Sequence, residues 1–139
     1  MSVECFLDTN ILLYAAGGRG PDEGKRQRAL DILEGAEFGT SAQVLQEFFI
    51  NATRKMKIAL TVLEAAEWID RLVLRPVAPT DETMIKSAIG LSTRYQVSYR
   101  DAAVVAASLS LDAAVLYSED LNHGQYYDKV RVVNPFLPA

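Results

Sequence analysis

The sequence predicts an α/β fold, a doubly wound parallel sheet of about four or five strands with helices on both faces. Three observations carry that expectation. Short apolar β-forming runs alternate with longer stretches of helical periodicity along the whole chain. The first run, Val3-Glu4-Cys5-Phe6-Leu7, breaks off in Asp8-Thr9-Asn10, and a late one, Ala113-Ala114-Val115-Leu116-Tyr117, breaks off in Ser118-Glu119-Asp120. No internal repeat, low-complexity tract or composition break divides the 139 residues. Residues 1–139 therefore read as a single domain, large enough to bury a core without staples.

Taken in order, the helical pattern Ile11, Leu12, Tyr14, Ala15 follows the first strand and should run to about Ala16, where Gly17-Gly18-Arg19-Gly20-Pro21 stops it. This loop is no phosphate-binding P-loop: the required spacing puts a Gly where Arg19 stands and a Ser or Thr where Arg26 stands. A helix from Asp22 to about Gly35 buries Ala29, Leu30, Ile32 and Leu33. Glu37-Phe38-Gly39-Thr40 is a short strand, and Ser41 caps a helix carrying Val44, Leu45, Phe48, Phe49 and Ala52 on one side. Thr61-Val62-Leu63-Glu64 is a capping box that opens the next helix, with Ala65, Trp68, Ile69 and Leu72 inward.

Leu74 to Val77 reads as a strand ended by Pro79, and Asp81 as the start of a helix with no chemical role. Ser98-Tyr99-Arg100-Asp101 fits the capping pattern before Ala102-Ala103-Val104-Val105-Ala106-Ala107, whose small residues allow close packing on a sheet. After a turn at Leu111–Ala113 comes the buried late strand, then a loop at Asn122-His123-Gly124. The final strand, Val130-Arg131-Val132-Val133, is stopped by Asn134-Pro135.

Half the residues are apolar and 23% are charged, an ordinary soluble balance. The single cysteine, Cys5, permits no internal disulfide and suits a reducing, cytoplasmic setting. No charged start followed by an apolar core suggests a signal peptide, and Ala102–Tyr117 is too short to span a bilayer, so no membrane is expected. A net charge of −4 is not that of a general nucleic-acid binder, yet acids gathered in one cleft can coexist with Lys and Arg that meet phosphates elsewhere.

Four acids decide the functional reading. Asp8 and Asp120 follow apolar strands, Asp101 opens a helix, and Glu47 lies within or beside the apolar stripe of its helix. Each has a bland explanation: a cap for Asp8, a border position for Glu47, a helix start for Asp101. In a parallel sheet, however, strand carboxyl ends and the helix starts after them share one edge, where ligand sites lie. Two carboxylates about 5 Å apart repel by roughly 3 kcal/mol at an effective dielectric near 20. Such a pocket needs a cation, and oxygen donors without a His or Cys cluster point to magnesium, with manganese as substitute. An ion of this kind serves phosphate substrates by activating a water and neutralising phosphoryl oxygens. The sole histidine, His123, lacks a nucleophile motif and reads as a loop residue.

These residues resemble the PIN-domain ribonucleases, and most nearly the VapC toxins of toxin–antitoxin pairs. The likeness rests on Asp8-Thr9-Asn10 with Tyr14, Glu47 after Ser41, Asp101-Ala102 opening an alanine-rich helix, Ser118-Glu119-Asp120, and the ending Arg131-Val132-Val133-Asn134-Pro135-Phe136. The resemblance implies a magnesium- or manganese-dependent endoribonuclease, a homodimer, and a cognate antitoxin protein that blocks the site. It implies Asp8, Glu47 and Asp101 as the central acids and Asp120 as the more variable fourth, with Glu119 as the adjoining alternative. Asn10 and Ser118 match supporting polar positions. Asp8, Asp101 and Asp120 would hold the ion or ions, and Glu47 would act as ligand through water or as base.

Arg19, Lys25, Arg26, Arg54, Lys55, Lys57, Arg94 and Arg100 are the candidates for RNA phosphate contacts. Arg100 is the best placed, and an ion pair with a neighbouring acid is its alternative. Three rivals stand beside this reading. One is a haloacid-dehalogenase-type phosphohydrolase, whose second Asp is replaced here by Asn10. The others are a PIN fold kept as an inert binding module, and a receiver-type domain, which wants paired acids and a late Lys.

Overall fold

The computed structural model describes residues 2–17, 22–54 and 59–138. Twelve elements follow one another: β1 (Cys5–Leu7), α1 (Thr9–Ala16), α2 (Glu23–Gly35), β2 (Phe38–Ser41), α3 (Ala42–Arg54), α4 (Val62–Leu72), β3 (Val77–Ala78), α5 (Glu82–Tyr95), α6 (Tyr99–Ser110), β4 (Val115–Tyr117), β5 (Tyr126–Tyr127) and β6 (Val130–Val133). The strands form one sheet in the order β3-β2-β1-β4-β6-β5. All neighbours pair in parallel except β5, which turns back on β6.

That order places the site. From β1 the chain steps outward to β2 and β3, then returns past its start to lay β4 on the other side of β1. Helices α1–α4 pack on one another and the returning pair α5–α6 packs together, the grouping that right-handed crossovers on either side of the reversal would give. The direction reverses between β1 and β4, whose partners run Cys5–Val115, Phe6–Leu116 and Leu7–Tyr117. Open parallel sheets bind ligands at the carboxyl ends of the strands beside such a reversal.

Burial follows the sequence pattern. All three residues of β1 are buried, as strands covered on both faces require. Helix α6 is buried continuously from Ala102 to Ser108, and its Ala102, Ala103 and Ala106 meet Ala88 of α5. The Thr61–Glu64 capping box closes in both directions, at 3.1 Å and 2.9 Å, and Asp81 caps α5 through Met84 N.

Three expectations change. The sheet has six strands rather than four or five, because β5 adds one that at two residues is too short to show a period. The strand expected at Leu74–Val77 begins only at Val77, since Leu74 N and Arg75 N close a turn on Arg71 O and Leu72 O. Tyr126–Tyr127 forms a hairpin strand where no element was expected, with Asp128 taking a left-handed φ of 51° in the turn.

Candidate active site

Asp8 ends β1 and caps α1 at once. Its Oδ1 accepts from Thr9 N at 2.7 Å, while Oδ2 accepts from Ser118 Oγ at 2.8 Å, and the residue has no exposed surface. The capping role and the functional role are therefore compatible. Burial pushes the Asp8 carboxyl above its usual range, and Arg100, Ser118 and Thr9 pull against that shift.

Glu47 lies on α3 beside the buried Val44 and Phe48. Thr9 Oγ1 donates to its Oε2 at 3.2 Å, and Gln43, one turn earlier, donates to its Oε1 at 3.4 Å. Asp101 sits in the first turn of α6, where Ser98 Oγ accepts from its amide at 3.1 Å. Only the serine half of that capping pattern carries the cap, and the Asp101 carboxylate turns to Arg100.

Arg100 is the centre of the cluster. Its Nη2 reaches Asp8 Oδ1 at 2.9 Å and Glu47 Oε2 at 2.8 Å. Nε meets Glu47 Oε1 at 3.3 Å, and Nη1 meets Asp8 Oδ2 at 3.4 Å and Asp101 Oδ1 at 3.2 Å. Burial pulls the guanidinium's pKa down, but bonds and charges from Glu47 and Asp8 push it up by more, and the group stays charged. The sequence left Arg100 between a phosphate contact and an ion pair. The structure places it in the ion pair.

The fourth acid stands to one side. Asp120 accepts from Asn10 Nδ2 at 3.2 Å, and its amide donates to Ser118 Oγ at 3.2 Å. Asn10 Oδ1 also accepts from Glu119 N at 3.2 Å, so one amide side chain holds both ends of this turn. Glu119 points elsewhere: it takes Lys25 Nζ at 2.6 Å and Tyr14 OH at 2.8 Å. Asp120 is thus the acid joined to Asn10 and Ser118, and Glu119 ties α2 to the loop after β4.

The four acids do not stand equally close together. Three meet at Arg100, and Asp120 is linked to them through Asn10 and Ser118. Among the described residues, no three His, Cys, Asp or Glu side chains stand arranged to hold an ion as they are. The donor chemistry still fits a hard dication: oxygen anions surround a position already filled by a stand-in cation, the guanidinium.

Thr9 and Gln43 were not singled out by sequence reasoning, although Thr9 lies between Asp8 and Asn10 and Gln43 is four residues before Glu47. Three of the expected phosphate contacts pair with acids outside the cluster. Lys25 pairs with Glu119, Arg94 with Asp128 at 2.7 Å, and Arg26 with Glu23 at 3.4 Å. Arg54 ends α3. Arg19, Lys55 and Lys57, like most of the Gly-rich loop at 18–21, lie outside the described residues. His123 accepts from Asn134 N at 2.9 Å through Nδ1, consistent with a loop role.

A family model for the PIN domain matches residues 5–129, which takes in Asp8, Glu47, Asp101 and Asp120. This chain belongs to the PIN-domain family. Membership sets aside the phosphohydrolase and receiver-type rivals. No curated protein sequence matches it. Solved structures share the PIN fold at low identity. VapC20 of Mycobacterium tuberculosis, described as a Sarcin-Ricin loop cleaving toxin, is 16% identical with a TM-score of 0.66, over 84% of this chain and 89% of that one. A toxin–antitoxin complex from Klebsiella pneumoniae gives 17% and 0.70, over 95% and 98%. VapBC2 of Rickettsia felis, bound to a DNA fragment from its promoter, gives 13% and 0.62, over 92% and 96%. Among the described residues no helix is long and apolar enough to cross a membrane.

Proposed function

We infer that this PIN domain is a metal-dependent endoribonuclease and the toxin of a toxin–antitoxin pair. The observation that carries the reading is the meeting of Asp8, Glu47 and Asp101 at one cation position, at the sheet edge where β1 and β4 part. Asp8 and Asp101 would hold magnesium or manganese, with Asp120 joining from the Asn10 side and Glu47 reaching the ion through a water. The ion, when bound, would supply charge neutralisation at the phosphoryl oxygens and acidify water.

The chain's own groups do the rest. Ser118 and Thr9 N fix the Asp8 carboxylate, and α6 presents Asp101 from its first turn. Glu47, oriented by the Thr9 hydroxyl and the Gln43 amide, is the base that takes a proton from the attacking water. Hydrolysis of this kind does not need the ribose 2′-hydroxyl as nucleophile.

An antitoxin partner is supported by the apolar groove beside the acids. Of about 660 Å³, it starts at Gln43 and Glu47 and continues over Leu45, Phe49, Ile50 and Ile69. The toxin–antitoxin complexes among structures sharing this fold support the same partner.

The test uses labelled structured RNA, including a sarcin–ricin loop oligonucleotide, with magnesium or manganese and then with chelator. Cleavage should need the ion and fall about 100-fold or more in Asp8→Asn and Asp101→Asn, beyond the loss that outer partners of metal ligands give. Cleavage that survives either substitution would sink the reading.

The arginine clamp favours one alternative, a PIN fold retained as an inert binding module. Absence of manganese binding heat in the native protein would select it.

A further inference from the structure

We propose that Arg100 is the resident cation of this site in the metal-free protein, and that a divalent ion binds by exchange with it. The proposal rests on the metal-dependent reading above and adds what that reading leaves open, namely how the site admits an ion at all.

Lone-pair counting makes the argument. A carboxylate offers about four acceptor positions. At Asp8 all four are spoken for: Thr9 N and Arg100 Nη2 on Oδ1, Ser118 Oγ and Arg100 Nη1 on Oδ2. Thr9 and Ser118 are buried and belong to the fold itself. Arg100 holds the other two positions, so an ion reaches Asp8 only if the guanidinium leaves. At Glu47 the arginine takes both oxygens, through Nε and Nη2.

Charge points the same way. The clamp sets one positive charge against three carboxylates and leaves the site under-neutralised. A dication in its place neutralises more and frees the guanidinium. The means of exit is present as well: the Arg100 side chain is 33% exposed while that of Asp8 is fully enclosed. Between the two partners, the arginine is the one that can move.

Exchange predicts that the clamp lowers the apparent affinity for the ion, because only the fraction of molecules with an open site can bind. Calorimetric titration of manganese into chelator-treated protein reads this directly. Arg100→Met should bind manganese about tenfold or more tightly than wild type, and Arg100→Lys, which keeps the charge but loses the fork, should fall between them. A methionine variant that binds no more tightly than wild type overturns the exchange while leaving the metal reading intact. Failure of both wild type and variant to bind overturns both.

Wild-type protein supplies a measurement independent of folding in the variants. In the metal-free state the Arg100 Nε–H should give a protected nuclear-magnetic-resonance signal, lost when magnesium saturates the site. Persistence of that signal at saturation overturns the proposal.

Discussion

The hydroxyl of Ser118 donates to Oδ2 of Asp8 across 2.8 Å, joining the two strand ends that flank the reversal of the sheet. The serine Oγ in turn accepts from the amides of Asp120 and Leu121, at 3.2 Å and 3.4 Å, so one buried hydroxyl serves both the acid and the turn beside it. Ser118→Ala leaves those groups short of a partner. It should destabilise the protein by about 1–3 kcal/mol, read as a lower urea midpoint at unchanged slope. An unmoved midpoint would mean that water replaces the hydroxyl.

Glu119 and Asp120 should separate cleanly. Glu119 is paired with Lys25 on a half-exposed surface, a contact contributing about 0–1 kcal/mol. Glu119→Gln should therefore keep RNA cleavage within about twofold of wild type, with a small fall in thermal midpoint that high salt removes. Asp120→Asn should lower cleavage about tenfold or more. Equal losses in the two variants would place both acids at the site.

The Cys5 thiol gives a pH signature. Burial, with the Glu4 carboxylate beside it, pushes the thiol up to about 12. Because the thiolate is the reactive form, native protein should resist alkylation near neutral pH and react once unfolded in urea. The sign of the linkage follows. The unfolded thiol ionises near 9 and the folded one near 12, so its contribution is whole below about pH 9 and is lost as pH rises toward about 12. Wild type should lose stability over that window faster than Cys5→Ala. Parallel curves would contradict the assignment.

Gly39 shows a packing limit. A Cβ there would lie 2.6 Å from Leu111 Cδ1 and 3.2 Å from Pro76 O. Leucine can turn aside, but Pro76 O accepts the Thr40 amide that ties β2 to the chain entering β3. Gly39→Ala should cost about 1–3 kcal/mol by overpacking, checked by denaturant titration. A neutral result would show that the β2–β3 edge gives way freely.

The helices and the four strands longer than two residues were legible, the helices because their burial is written as period in the residues, as in Val44, Leu45, Phe48 and Ala52. The two-residue β5 was not, since two positions carry no period, and β3 showed only as a run whose start was placed too early. At the site, Asp8, Asp120 and Asp101 could be singled out from strand ends and a helix start, and Glu47 from its place beside an apolar stripe. The role of Arg100 could not: beside Asp101 in sequence, it read equally as a phosphate contact or an ion-pair partner, and only the tertiary approach of β1 and α3 to α6 decides the matter. Thr9 escaped notice for a related reason, because its partner Glu47 is 38 positions away.

Asp8 and Ser118 are 110 positions apart, and the edge they build needs β4 laid against β1. Chains fold as they leave the ribosome, amino end first. A polypeptide still being translated carries its acids as dispersed residues until the late strand emerges. The edge that gathers the acids thus comes with a built-in delay: it closes only once β4 has been made, long after Asp8 has left the ribosome.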